Sequence, residues 1–261
     1  MLHKKSLGQN FLTSHKIIDD IVLASGAKAD DNILEIGPGE GILTGALLAT
    51  GSNVVSVEKD DRLIPILSEK FEKEISSGQF TLIHKDILEI SSEEIFTGKK
   101  YNIVANIPYY ITGQIIRQFL ESKNQPNSMT LLLQKEVAER IVARDNKESL
   151  LSLSVKVYGT PTYVRMVGRG AFSPQPNVDS AVLHISNISK SKLNGADEKK
   201  FFEIIHAGFA HKRKQLLPNL TSLFEKQKLI SVFEKINLDQ KSRSEDLPLE
   251  TWVLLTKLLT E

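Results

Sequence analysis

The sequence predicts an α/β protein: a mostly parallel sheet with helices on both faces, followed by a small all-α C-terminal domain. Three observations carry that expectation. Short apolar runs rich in β-branched residues alternate with stretches of helical spacing as far as about residue 150, and such alternation builds crossover units around a parallel sheet. A glycine cluster, Gly37-Pro38-Gly39-Glu40-Gly41, follows the first of these runs, at the place where open α/β sheets form a ligand cleft. Beyond Ala196 no strand pattern remains, while apolar residues recur at helical spacing. Composition agrees. The 261 residues are 41% apolar and 25% charged, the mixture of a soluble globular chain. With 33 Lys+Arg against 32 Asp+Glu the net charge is +1, which excludes a bulk polycation and restricts any nucleic-acid site to a local patch. The absence of cysteine excludes disulfides, thiolate metal centres and cysteine nucleophiles, and no metal site is expected. No apolar run approaches the ~20 residues of a membrane helix, and MLHKKSLGQNFL holds no signal-peptide core. A cytoplasmic protein without a membrane partner is expected.

Taken in order, His3 to Leu12 is short and basic at its start and reads as an arm. Thr13 and Ser14 can cap a helix with Ile17, Ile18, Ile21 and Val22 at helical spacing, and Gly26 ends it. Residues 32–36 and 53–58 read as the first two strands, each followed by a helix (42–49 and 61–75). Strands at 80–84 and 101–105, a helix at 114–120, a strand at 128–133 and a helix at 136–143 continue the alternation. A helical stretch then runs to Tyr158, and strand-like segments at 162–167 and 181–185 flank the stiff loop Phe172-Ser173-Pro174-Gln175-Pro176. Polar residues 186–196 make the linker, so the expected domains are 1–187, with the N-terminal basic arm, and 188–261. In the latter, Phe201, Phe202, Ile205, Leu216, Leu220 and Trp252 are among the apolar residues at helical spacing.

The chemistry gathers at strand ends. Glycines allow a sharp turn and close approach of backbone to a ligand. Glu58 stands 21 residues after Gly37 at the end of the second strand, where an acidic residue can accept both hydroxyls of a ribose. The spacing is G-x-G-x-G, unlike the G-x-G-x-x-G of pyrophosphate-binding turns. That disfavours a nicotinamide dehydrogenase, and the flanking acids Glu35 and Glu40 favour a cofactor without phosphates, S-adenosylmethionine (SAM). Asp86 has two readings, an acceptor for an adenine amino group or a helix cap. Asn106-Ile107-Pro108-Tyr109-Tyr110 offers acceptors in the Asn106 amide and the Ile107 carbonyl, with a flat face in Tyr109. These are the parts needed to align an exocyclic amine and stack its base. Phe172 reads either as the other wall of such a pocket or as core. Two basic clusters, His3-Lys4-Lys5 and His211-Lys212-Arg213-Lys214, read either as phosphate contacts or as solvated surface.

Several motifs stand in a single order over nearly the whole chain: Lys5-Ser-Leu-Gly8-Gln9-Asn10-Phe11-Leu12, EIGPGEGILT (35–44), Val57-Glu58-Lys59-Asp60, Asn106-Ile-Pro-Tyr109 and Phe172-x-Pro-x-Pro-x-Val-Asp179-Ser-Ala181. In this the chain resembles the ribosomal RNA adenine N6-dimethyltransferases. The resemblance implies a Rossmann-like class I SAM-dependent methyltransferase sheet and a helical RNA-recognition domain. It implies dimethylation of two adjacent adenosines in the 3′-terminal hairpin loop of 16S rRNA, within an immature small ribosomal subunit, by a monomer. It places Asn10, Leu12 and Gly37 along the cofactor, Glu58 on the ribose, Asp86 on the adenine and Asn106 where cofactor and target amine meet. Tyr109 and Phe172 would enclose the flipped base, and Lys4, Lys5, Lys212, Arg213 and Lys214 would meet RNA. Asp179 and the Arg243-Ser-Glu-Asp-Leu247 stretch favour 16S over 23S rRNA, whose related macrolide-resistance enzymes share QNF and N-I-P-Y. A non-catalytic assembly factor on the same scaffold is the other alternative. The sequence departs from the family pattern at Tyr110, where Asn is frequent, and at Leu150-Leu151-Ser152, where Tyr-Gly-Arg is usual.

Overall fold

The computed structural model describes residues 10–211 and 213–261. The chain forms two compact units, one taking in residues through Ala138 together with Pro161–Ile188, the other Glu139–Thr160 together with Ser189–Glu261.

The first unit opens with a short strand, β1 (Phe11–Leu12), and α1 (His15–Ser25). Ser14 stands at the N-cap of α1 without a side-chain cap bond, and Thr13 Oγ1 instead donates to the Ala171 carbonyl at 3.1 Å. Gly26 closes α1 in the left-handed region, its N–H donating to Leu23 O. There follow β2 (Asn32–Ile36), α2 (Ile42–Leu48), β3 (Asn53–Glu58), α3 (Leu63–Lys70), α4 (Glu72–Ser77) and β4 (Phe80–His84). The single helix expected over 61–75 is broken at Phe71, whose ring is buried edge-on against Phe80 at 5.3 Å. Next come α5 (Ser92–Ile95), β5 (Asn102–Asn106), α6 (Thr112–Glu121), β6 (Ser128–Gln134) and α7 (Lys135–Val142). After α8 (Leu150–Lys156), which belongs to the second unit, the chain adds β7 (Thr160–Val167), β8 (Phe172–Ser173) and β9 (Ser180–Ser186).

Seven strands form one sheet in the order β4-β3-β2-β5-β6-β9-β7. β4, β3, β2, β5 and β6 pair in parallel, and β9 runs antiparallel to β6. Strands β2, β5 and β6 are mostly apolar and almost wholly buried, as a sheet covered on both sides requires. Strand order reverses between β2 and β5, so the cleft above their carboxyl ends is the expected ligand position. A separate two-stranded pairing, β1 with β8, sets Leu12 opposite Phe172.

The second unit adds α9 (Glu198–Gly208), α10 (Leu216–Leu220), α11 (Lys226–Lys235) and α12 (Leu249–Thr260) to α8. Asp197 caps α9 by accepting from the Lys200 N–H. Phe201, Ile205, Leu216, Leu220, Phe233 and Trp252 are buried, and Phe209 stacks on Trp252 at 5.6 Å. The boundary at 187/188 falls beside one crossing between the units, but residues 139–160 also join the second. The reason lies in Tyr158, which stacks on Phe202 at 6.1 Å and donates to Glu198. Helical spacing reveals an apolar face without revealing which core accepts it. Among the described residues no helix is long and apolar enough to cross a membrane.

Candidate active site

A cavity of about 510 Å³ lies in the first unit, within the range of small-ligand sites. It gathers the ends of four strands: the turn after β2, Glu58 of β3, Asp86 after β4 and Asn106 of β5. Asn10, Leu12, Gly37 and Tyr109 line it as well. Every cofactor residue expected from the sequence therefore faces one space.

The glycine turn is built to be tight. Gly41 has φ +76°, and a Cβ there would come within 2.6 Å of the Phe71 ring, so no other residue fits without displacing that buried side chain. A Cβ on Gly37 would meet no atom within 4 Å. The space beside its backbone is open, as a closely held cofactor requires.

Two buried carboxyls flank this turn. Register places Glu35 beside Ser56, and Glu35 Oε2 accepts from Ser56 Oγ (2.6 Å) and Thr44 Oγ1 (2.7 Å). Its Oε1, also buried, has no partner among the described residues. Burial pushes the Glu35 carboxyl up to about 7, against the pull of these hydroxyls. Glu58 accepts from the Asp60 N–H at 2.7 Å and the Gly39 N–H at 3.3 Å. Burial raises its carboxyl above the ordinary range despite those amides. Each Glu58 oxygen keeps a second lone pair, which suits a diol. Open backbone at Gly37 and a diol acceptor in Glu58 fit SAM.

Asp86 is a turn cap that also lines the cavity. Its Oδ1 caps a 3-10 turn by accepting from the Leu88 N–H at 3.0 Å, and its Oδ2 meets Lys59 Nζ at 2.6 Å, while the residue lines the cavity. Burial alone would raise its carboxyl; the Lys59 ammonium and the Leu88 amide outweigh burial and hold it below the usual range. Lys59 is a cavity residue that sequence reasoning missed, since nothing local links it to a carboxylate 27 positions on.

At the other end, Asn106 Nδ2 donates to the Asn10 carbonyl at 3.2 Å. That bond fixes which way the amide faces, nitrogen toward Asn10 and oxygen away. The Ile107 N–H is occupied by Leu132 O at 3.1 Å. Tyr109 is half-buried, its hydroxyl 2.6 Å from Ser180 Oγ, and burial raises its phenol despite that bond. Phe172 departs from the expectation of an open pocket wall. Its ring is 3% exposed and packs in the core with Leu12, Val167 and Val182, because the β1–β8 pairing turns it behind the segment that lines the cavity. Phe11, whose ring packs over Gly39, and Tyr110 line the cavity instead. Arg213 and Lys214 are exposed in the second unit; Lys4, Lys5 and Lys212 lie outside the described residues.

Five parallel strands, an antiparallel β9 inserted before the edge strand, and a cleft over β2 and β5 define a class I, Rossmann-like SAM-dependent methyltransferase. The ribosomal RNA adenine dimethylase family model matches residues 1–261, and the chain belongs to that family. It is 42% identical over 252 residues to the ribosomal RNA small subunit methyltransferase A of Dehalococcoides mccartyi, covering 95% of this chain and 86% of that one. To the protein of the same name from Clostridium botulinum it is 40% identical over 250 residues, covering 94% and 90%. Among solved structures it is similar to the 23S rRNA methyltransferase ErmE (TM-score 0.80, 25% identity, 97% of this chain and 100% of that one). A dimethyladenosine transferase from Plasmodium falciparum gives TM-score 0.80 and 25% identity over 94% and 95%.

Proposed function

We propose that this protein is a cytoplasmic, monomeric enzyme that uses SAM to dimethylate the N6 amines of two adjacent adenosines in the 3′-terminal hairpin loop of 16S rRNA, within an immature small subunit. The observation that carries this reading is the cavity that joins Glu58 and Asp86 to Asn106 and Tyr109. The small-subunit names of relatives at 40–42% identity support the choice of RNA.

When bound, SAM supplies a methyl group that passes from sulfur to N6, leaving S-adenosylhomocysteine and releasing a proton to solvent. The residues do the holding. Glu58 accepts the ribose hydroxyls, Asp86 the adenine amino group, and Asn10, Leu12 and Gly37 border the cofactor. The Asn106 oxygen and the Ile107 carbonyl accept from the target amine, which aligns its lone pair with the methyl group. Tyr109, anchored by Ser180, stacks on the extruded base. Phe172 supports the opposite wall from behind, through β1. No strong base is required, because methyl transfer leaves the nitrogen cationic and therefore acidic; the contribution of the site is orientation. Arg213 and Lys214, with Lys212, Lys4 and Lys5, bind RNA phosphates, and residues 188–261 serve RNA recognition.

Mass spectrometry of rRNA from cells lacking the gene tests the reading. Loss of both dimethyladenosines from the 16S 3′ end is expected; their persistence, or loss of a 23S mark instead, would overturn it. The 23S alternative draws on the likeness to ErmE, and the same experiment separates the two.

A further inference from the structure

The cavity rim carries an aromatic ring that the proposed reaction does not use. Tyr109 and Tyr110 are successive residues of a 3-10 turn, Tyr109–Ile111, in which neighbouring side chains diverge by about 120°. Tyr109 is tied to Ser180. Tyr110 lines the same cavity yet is 61% exposed, the one aromatic side chain in the exposed class among the described residues. Its backbone is firmly set: Pro108 precedes the turn at φ −57°, and the Pro108 carbonyl accepts from the Ile111 N–H (3.2 Å) and Thr112 Oγ1 (3.4 Å). Lys59 and Lys85 line the cavity too, with side chains 58% and 48% exposed. Lys59 keeps its ion pair with Asp86, and Tyr110, Lys59 and Lys85 border one cavity. A rigidly based ring facing water beside lysines is the arrangement that holds an unpaired base and its phosphate.

We propose that Tyr110 is a specificity-determining residue that stacks the nucleotide beside the target adenosine, keeping that neighbour at the cavity mouth while the target base is inside. The inference rests on the function proposed above and deepens it. When the substrate presents two adjacent adenosines, whichever enters leaves its partner at the rim, and a purine gives the ring more area to cover than a pyrimidine.

The test uses small subunits in which 2-aminopurine replaces one of the two adenosines, with wild type, Tyr110→Phe and Tyr110→Leu. Three quantities are read: 2-aminopurine fluorescence on binding, KM for RNA, and SAM affinity by calorimetry. Tyr110→Leu should raise the RNA KM about tenfold, as expected for loss of one base–aromatic stack, and abolish the stacking quench. Tyr110→Phe should keep both within about twofold of wild type, because the ring that stacks is retained, and SAM affinity should hold in all three. Unchanged KM and quench in Tyr110→Leu would overturn the inference, as would weakened SAM binding with unchanged RNA affinity, which would give the ring to the cofactor. Wild type that methylates neither adenosine of an unsubstituted subunit would instead overturn the proposed function, so the two failures are distinguishable.

Discussion

The two ends of the cavity differ in how far the protein completes its own bonding. Around β2 and β3 the carboxyls are buried and engaged: Glu35 by two hydroxyls, Glu58 by two backbone amides. Around the end of β5 the groups are held more lightly. Asn106 is oriented by one bond to Asn10, Tyr109 by one to Ser180, and Tyr110 faces solvent. The first end is a preorganised, buried receptor whose acceptors are already oriented. In the proposed reaction the second presents an oriented acceptor and a ring to a base that arrives from outside.

The sharpest way to break this contrast is at Asn106. Asn106→Ala should lower methyl transfer by at least about a hundredfold, the scale set by removing one positioning group, with SAM affinity nearly unchanged. Single-turnover rates and calorimetry check it, and a near-normal rate would remove Asn106 from the chemistry.

Glu35 probes the buried end through stability. Its folded carboxyl is raised from 4.5 to about 7, so the native state holds that proton more tightly than the unfolded chain. The contribution is fully present below about pH 4.5 and is lost as pH rises through 7, on the order of 3 kcal/mol in all. Urea unfolding across that window should show wild type losing stability relative to Glu35→Gln, and parallel profiles would contradict it. Glu58→Ala should weaken SAM binding roughly tenfold to a hundredfold, the range for hydrogen bonds to a charged group; equal dissociation constants by calorimetry would end its assignment to the ribose. The smallest effect is expected from the basic cluster at residues 211–214. Replacing Lys212, Arg213 and Lys214 by Gln should weaken RNA binding and flatten its salt dependence, by about 0.7–0.9 in log–log slope for each phosphate no longer neutralised. An unaltered slope would take these three residues out of the RNA interface.

Much of the cavity lining around β2 and β3 was legible in the sequence, because its residues sit where strands stop. A short apolar run followed by Gly37-Pro38-Gly39, and another ending in Glu58, announce both the parallel sheet and the cleft. What escaped depends on contacts between distant segments. Phe172 is a loop aromatic in the sequence and a core residue in the fold, because β8 pairs with β1. The ion pair of Lys59 with Asp86 joins two strand ends that only the β3–β4 pairing makes neighbours. The break at Phe71 and the membership of residues 139–160 likewise follow from where an aromatic ring finds its partner.

The bond from Asn106 to the Asn10 carbonyl spans 96 positions of sequence. Through it the amide at the end of β5 inherits the path of the leading segment, and that segment is in turn stitched to β8. A shift in the main-chain path at Asn10 therefore reaches Asn106 through one carbonyl, and leaves the carboxylates of β2 and β3 with their own partners.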